Sequence, residues 1–98
     1  MHRIRLSGFW ARTEPSPGQV AHTRHFGAPR LNDLAETVWL VGTAPGDGVV
    51  ILNGKPMIAV QNGAAFEVDV TASLKPRNVV RIETTGGEAM ELALEIRS

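Results

Sequence analysis

The chain has 98 residues, of which 43% are hydrophobic and 20% charged, and it contains no cysteine. This length and composition are typical of one globular domain with a modest core and argue against intrinsic disorder. The 10 basic and 10 acidic residues give a formal net charge of zero. No general attraction to nucleic acid or to an anionic membrane is therefore expected. We predict a single domain over residues 1–98.

The lack of cysteine excludes disulfides, thiolate metal sites and a cysteine nucleophile, and it fits a reducing compartment. The N-terminal segment 1–6 is charged, and no apolar stretch typical of a signal peptide follows it. No part of the sequence approaches the ~18 consecutive apolar residues of a membrane span. These features favour a cytoplasmic location.

Short apolar runs separated by glycine and proline clusters predict strands and turns in the first half of the chain. The segment Glu14–Gly18 contains two prolines and is predicted to be a loop, because proline cannot donate to a strand ladder. The full order is a strand ending near Trp10, a loop over 14–18, a strand over 20–26, an irregular segment over 30–36, a strand over 37–41 and a loop over 42–48.

The second half contains the sharpest turn signal. The β-branched run Val49–Leu52 meets Asn53-Gly54, and both of these residue types tolerate a positive φ. Pro56 lacks an N–H group, so its segment is predicted to be a sheet edge or the start of a strand. The remaining elements are strands over 57–60 and 65–70, with a turn at 61–63 between them, and one short helical turn over 71–74.

Two C-terminal runs alternate between apolar and polar residues, which predicts a hairpin. A two-residue loop would place Ile82 opposite Glu91, and an apolar side chain should oppose an apolar one. A three-residue loop over 85–87 removes this mismatch. It pairs Ile82 with Met90, Val80 with Leu92 and Arg81 with Glu91.

These elements amount to roughly eight short strands, and helical periodicity extends nowhere beyond ~6 residues, which is below the usual helix length. An antiparallel β-sandwich is the architecture that such a pattern predicts.

Three segments resemble a known family. Residues 49–59 read VVILNGKPMIA, residues 66–71 read FEVDVT before Leu74, and residues 75–82 read KPRNVVRI. They resemble galactose-binding-like jelly rolls, and most closely the N-terminal sugar-binding domain of family 2 glycoside hydrolases. Weaker matches at 9–12, 24–26 and 37–40 extend the resemblance over most of residues 9–82. The Asn-Gly and Asp-Val-Thr motifs also have structural roles in turns and caps.

The resemblance implies a jelly roll that binds carbohydrate. The catalytic acids of those enzymes lie in a separate barrel domain, which residues 1–98 do not contain. No Gly-x-Ser-x-Gly elbow occurs, and the acidic residues fall mostly at outward strand positions or in turns. We therefore expect a non-catalytic protein without a cofactor.

His22 and His25 are the residues that suggest a metal site. Their separation of three places the two imidazoles on opposite faces of a strand, where they cannot converge on one ion. We predict no metal site.

Carbohydrate binding requires flat aromatic faces and polar groups with two donors or acceptors. Trp10 and Trp39 are the strongest candidate platforms, and packing in the core is the alternative for each. Phe9 precedes Trp10, so on a strand one ring faces inward and the other needs cover from a loop, a partner or a ligand. The family pattern places Arg12 and Arg24 nearby, where they can hold a hydroxyl or a carboxylate.

For both arginines the alternative is a salt bridge with Glu14 or Glu36. The function that competes with carbohydrate binding is a structural or protein-interaction module that forms homo-oligomers through edge strands or a covered tryptophan patch. The scarcity of aromatic residues, with two Trp, three Phe and no Tyr, favours it. A tryptophan in a concave patch beside Arg12 or Arg24 favours ligand binding, whereas two buried tryptophans favour the interaction module.

Overall fold

The computed structural model describes residues 2–32, 34–86 and 91–98. Within these residues the chain forms nine strands and one 3-10 turn, which confirms the predicted antiparallel β-sandwich with one strand more than expected. The strands are β1 His2–Arg5, β2 Ala11–Ser16, β3 Gln19–Gly27, β4 Thr37–Thr43, β5 Gly48–Leu52, β6 Lys55–Val60, β7 Ala65–Asp69, β8 Arg77–Thr84 and β9 Glu91–Arg97, and the turn spans Thr71–Ser73.

The strands form a four-stranded sheet in the order β1-β9-β4-β7 and a five-stranded sheet in the order β2-β3-β8-β5-β6. The apolar residues of alternating runs point between the sheets, as period-2 patterning requires. Val80 and Ile82 of β8 are fully buried there, and so are Val38 and Leu40 of β4. In the part of the chain that is described, no helix has the length and apolar character needed to cross a membrane.

The predicted hairpin between β8 and β9 is wrong. Strand β8 lies between β3 and β5, whereas β9 lies between β1 and β4 in the other sheet. Ile82 pairs with His22 and Val50, and Leu92 pairs with Gly42. The alternation of apolar and polar residues determines which face of each strand is buried. It does not determine in which sheet the neighbouring strand lies. Gly87 and Met90, which the prediction also used, lie outside the described residues.

The N-terminal segment also differs from the prediction. Strand β1 ends at Arg5 rather than near Trp10, because Gly8 and Phe9 adopt φ values of 75° and 58°, which a strand cannot contain. Residues 14–16, predicted as loop, belong to β2. This strand tolerates Pro15 because it lies at the sheet edge and its register shifts between Thr13 and Ser16.

The predicted loop over 42–48 is shorter, because Gly42 extends β4 and Gly48 begins β5. Both positions lie against a neighbouring strand. A side chain at Gly42 would meet the carbonyl oxygen of Glu91, and one at Gly48 would meet that of Glu83. At these two positions glycine therefore allows the backbone to lie close to a neighbouring strand, and it does not form a turn.

Other local predictions are confirmed. Asn53 and Gly54 form the β5–β6 turn with φ values of 53° and 82°. Pro56 lies in β6, an edge strand of the five-stranded sheet. The short helical turn occupies Thr71–Ser73.

The two asparagines of the family-like motifs bind each other. The Asn53 side-chain amide donates to Asn78 Oδ1 over 3.0 Å, and Asn53 Oδ1 accepts from the Val79 backbone over 2.9 Å. Asn78 also accepts from the Lys75 N–H and donates to the Lys75 carbonyl, each over 2.8 Å. Asn78 is buried, so these bonds tie the β5–β6 turn to the start of β8.

His22 occupies an inward position of β3, opposite Ile82. It is buried, and its Nδ1 has no hydrogen-bond partner among the described residues. Burial, assisted by the positive charge of Arg12, lowers the pKa of His22 below its ordinary value. The lowered pKa favours the neutral form of this imidazole in the folded protein.

We expect Asn78→Ala to lower the free energy of unfolding by about 2–4 kcal/mol, because it removes the hydrogen bonds that this buried side chain makes with Asn53, Lys75 and Phe26. Urea denaturation followed by tryptophan fluorescence measures the change. The control is Asn62→Ala, since the Asn62 side chain is exposed; it should change stability by less than about 0.5 kcal/mol. Equal effects of the two substitutions would contradict the structural role.

We expect the free energy of unfolding to fall as the pH is lowered from about 7 to about 5, by at most ~1.4 kcal/mol per pH unit. The sign follows because the unfolded histidine takes up a proton in this range before the folded, buried one does. Denaturation curves at several pH values measure the slope. His22→Leu should reduce it, whereas His25→Gln, at an exposed position, should leave it unchanged. A slope that His22→Leu does not alter would contradict the assignment.

Candidate functional site

A depression of about 600 Å³ opens mainly on the outer face of the four-stranded sheet. The connection between β1 and β2 forms one wall and contributes Leu6, Ser7, Gly8 and Trp10. The charged lining residues are Arg3, Arg5, Glu67, Glu91 and Glu95. One tryptophan, two arginines and three glutamates thus face a common space.

One cross-strand row explains why this face is concave. Arg5, Ala93, Val41 and Glu67 lie side by side on β1, β9, β4 and β7. The two central positions carry short side chains, which are only 6% exposed, and the two edge positions carry long charged ones. Since side chains of one row point to the same side of a sheet, the middle forms a floor and the edges form a rim.

The neighbouring row contains a buried carboxylate. Glu95 is 7% exposed and forms salt bridges with Arg3 over 2.8 Å and with Arg97 over 2.9 Å. Arg97 also binds Glu67 over 2.8 Å. Hydrogen bonds from Arg97 and then from Arg3 outweigh the opposing effect of burial and keep the pKa of Glu95 below its ordinary value. Glu95 is therefore ionised at neutral pH.

The left-handed turn at Gly8 and Phe9 sets the orientation of the two adjacent aromatic residues. Trp10 is partly buried against the core, and its Nε1 donates to the Leu6 carbonyl over 2.8 Å. Phe9 is 92% exposed. Trp10 is thus the inward member of the pair, and Phe9 is the outward member.

Arg24 supports this loop from β3. Its Nε donates to the Gly8 carbonyl over 2.9 Å, and its guanidinium carbon lies 6.0 Å from the centre of the Phe9 ring. The inward-facing register of β3 directs Arg24 toward the connection, since it pairs with buried Val80. Arg24 holds the wall of the depression without lining it.

The structure brings one of the four sequence-predicted ligand residues, Trp10, to the depression. Trp39 lies on the same outer face but outside the lining, with the Arg97 guanidinium 4.4 Å from its ring centre and its Nε1 donating to Thr37. Arg12 belongs to the other sheet and forms the alternative salt bridge with Glu14 over 3.3 Å.

Sequence reasoning missed the charged lining residues. Alternation in 2–5 and 91–97 correctly assigns Arg3, Arg5, Glu91 and Glu95 to an outer face. Their meeting depends on β9 pairing with β1 and β4, and the predicted hairpin placed β9 elsewhere. A correct strand order would have been sufficient to find the row.

The histidine pair behaves as its spacing predicts. His22 points into the core, whereas His25 is exposed on the opposite face of β3. Across residues 2–32, 34–86 and 91–98, no group of three or more histidine, aspartate or glutamate residues is placed to hold a metal ion.

Comparison with known proteins supports the fold. No protein-family model and no curated protein matches the sequence. Among solved structures, an FMN-binding β-glucuronidase from Facaelibacterium prausnitzii L2-6 matches with a TM-score of 0.81 at 17% identity, over 95% of this chain and 22% of that one. A β-D-glucuronidase from Dictyoglomus thermophilum matches with a TM-score of 0.74 at 18% identity, over 86% of this chain and 19% of that one.

The chain therefore spans about a fifth of the length of these two enzymes. At such low identity the likeness concerns the fold alone. It shows that the chain shares the β-sandwich fold of one part of each of these two β-glucuronidases.

Proposed function

We propose that residues 1–98 form a single galactose-binding-like jelly-roll domain that binds carbohydrate without catalysis, in the depression on the four-stranded sheet. The observation that carries the proposal is the presence of Trp10, Arg5 and Glu91 around one concave space. The family-like motifs and the shared fold with two glucuronidases support it. The volume of about 600 Å³ is of the size that small-ligand sites have.

The charges around the depression suit hydroxyl groups. Arg5 and Glu91 are exposed, and neither forms a salt bridge within the described part of the chain. A guanidinium donates hydrogen bonds and a carboxylate accepts them, whereas a sugar hydroxyl does both. Trp10 adds apolar surface for the C–H groups of a sugar ring. Together these groups supply the contacts that a neutral or weakly charged saccharide needs.

The state of the other carboxylates supports binding rather than hydrolysis. A glycosidase requires one carboxylic acid that stays protonated to donate to the leaving group, as well as a second carboxylate. Glu95 and Glu67 are both bound by arginine, and the pKa of Glu95 is lowered rather than raised. Glu95 and Glu67 are therefore not arranged to act as the protonated acid and the ionised carboxylate of a glycosidase.

A structural or protein-interaction module is the second candidate. It is favoured by the internal contacts of Trp39 and Arg12, which leave fewer groups for a ligand than the sequence predicts. Such a module would use the edges of the four-stranded sheet.

A glycan array probed with the labelled chain tests carbohydrate binding, followed by calorimetric titration of the best saccharide. We expect Arg5→Ala and Glu91→Gln each to weaken binding at least about tenfold, because each removes a hydrogen bond to a charged group. Both positions are exposed, so the fold should be retained.

Arg12→Ala is the matched control, since it removes an exposed arginine from the other sheet; it should leave the affinity unchanged. The absence of binding to any saccharide would contradict the proposal. So would binding that Arg12→Ala abolishes while Arg5→Ala and Glu91→Gln preserve it.

A further inference from the structure

The two edges of the four-stranded sheet differ from those of the five-stranded sheet. The edge strands β2 and β6 contain Pro15 and Pro56, which interrupt any further ladder. The edge strands β1 and β7 contain no proline. In the part of the chain that the structure describes, neither β1 nor β7 pairs with a strand on its outer side, so each can pair with a strand of another molecule.

At the free edge of β1, the backbone N–H and carbonyl groups that point away from β9 belong to the arginines of this strand. The Leu6 N–H donates to the Leu92 carbonyl over 2.9 Å, which continues the register of β1 with β9. In an antiparallel ladder, hydrogen-bonded pairs alternate with pairs whose backbone groups point away. The backbone of Ile4 has the same orientation as that of Leu6 and faces β9. Arg3 and Arg5 therefore direct their N–H and carbonyl groups to the free edge.

At the free edge of β7, the backbone N–H and carbonyl groups that point away from β4 belong to the acidic residues of this strand. The Val70 N–H donates to the Val38 carbonyl over 2.9 Å, in continuation of the β4–β7 register. Val68 shares this orientation, so Asp69 and Glu67 direct their backbone groups away from β4. Both acidic side chains also lie on the outer, exposed face of the sheet.

The two edges are complementary in charge and in apolar pattern. When β1 of one copy is aligned antiparallel to β7 of another, with Arg3 opposite Asp69, Arg5 falls opposite Glu67. Opposite charges directly across a ladder stabilise it. The same register places Ile4 opposite Val68, and both are partly buried side chains that pack against the core.

Pairing of like edges lacks this complementarity. Two antiparallel copies of β1 would bring Arg3 against Arg5, and two copies of β7 centred on Glu67 would bring that carboxylate against itself. Like charges directly opposite each other destabilise a ladder. The edges therefore favour a head-to-tail contact over a two-fold symmetric one.

We propose that this chain associates with a second copy of itself by adding β1 of one copy to β7 of the next. Because neighbouring strands in the sheet alternate in direction, β1 enters beside β7 antiparallel and the sheet continues from copy to copy. This contact uses two different surfaces, so each copy keeps one free edge and the assembly can grow. The proposal does not depend on carbohydrate binding.

Sedimentation velocity from about 10 µM to about 1 mM tests the association, since a single edge contact is small and its affinity is expected to lie in this range. The mass should rise with concentration from the 10.6 kDa of one chain. It should fall back in high salt, which screens exposed charge pairs. A mass of one chain at every concentration would overturn the proposal.

Two single-edge variants identify the surfaces. Arg5→Glu and Glu67→Arg should each hold the protein at the mass of one chain, whereas Arg12→Glu on β2 should behave as the unmodified chain does. Circular dichroism confirms that each variant is folded. If the folded Arg5→Glu or Glu67→Arg variant still associates, or if Arg12→Glu prevents association, the proposed edges are wrong.

An equimolar mixture of the two single-edge variants distinguishes a head-to-tail contact from a symmetric one. The Arg5→Glu chain keeps an intact β7 and the Glu67→Arg chain keeps an intact β1, so the average mass of an equimolar mixture should rise above that of one chain at concentrations where neither variant associates alone. A mixture that remains at the mass of one chain would overturn the proposal.

Discussion

Burial of one face of each sheet against the other is the constraint on which the remaining features of this protein depend. Leu40 and Ile82 come from different sheets and are both fully buried. Each such side chain contributes about 1.5–3 kcal/mol when it leaves water. Once these faces are directed inward, period-2 geometry directs their neighbours outward. The charged and small residues of the outer face are positioned by this requirement.

The roles of the motif residues follow from the same architecture. Asn53 and Asn78, which carry much of the sequence resemblance, satisfy each other and nearby backbone groups at one end of the sandwich. The depression is formed on the four-stranded sheet by short side chains at Val41 and Ala93 between Arg5 and Glu67. Asn53 and Asn78 are thus separate from the residues that line the depression.

Some local features were predictable from the sequence, whereas the left-handed turn at Gly8 and Phe9 and the long-range pairing were not. The Asn53-Gly54 turn and the edge position of Pro56 follow from backbone preferences that act within a few residues. The partners of Ile82 and Leu92 were assigned wrongly, because alternation fixes a face and carries no information on which strand lies beside it. For this reason Trp10 was identified as a candidate, while Arg5 and Glu91 required the observed strand order.

The placement of β9 between β1 and β4 is the central claim, because it assembles both the depression and the two complementary edges. Nuclear Overhauser contacts between α protons test it most directly, since α protons approach closely in non-hydrogen-bonded antiparallel pairs. The account predicts a strong contact between Leu94 and Leu40, which face each other in the β4–β9 register. A strong contact between Leu92 and Val80 would instead place β9 beside β8 and contradict it.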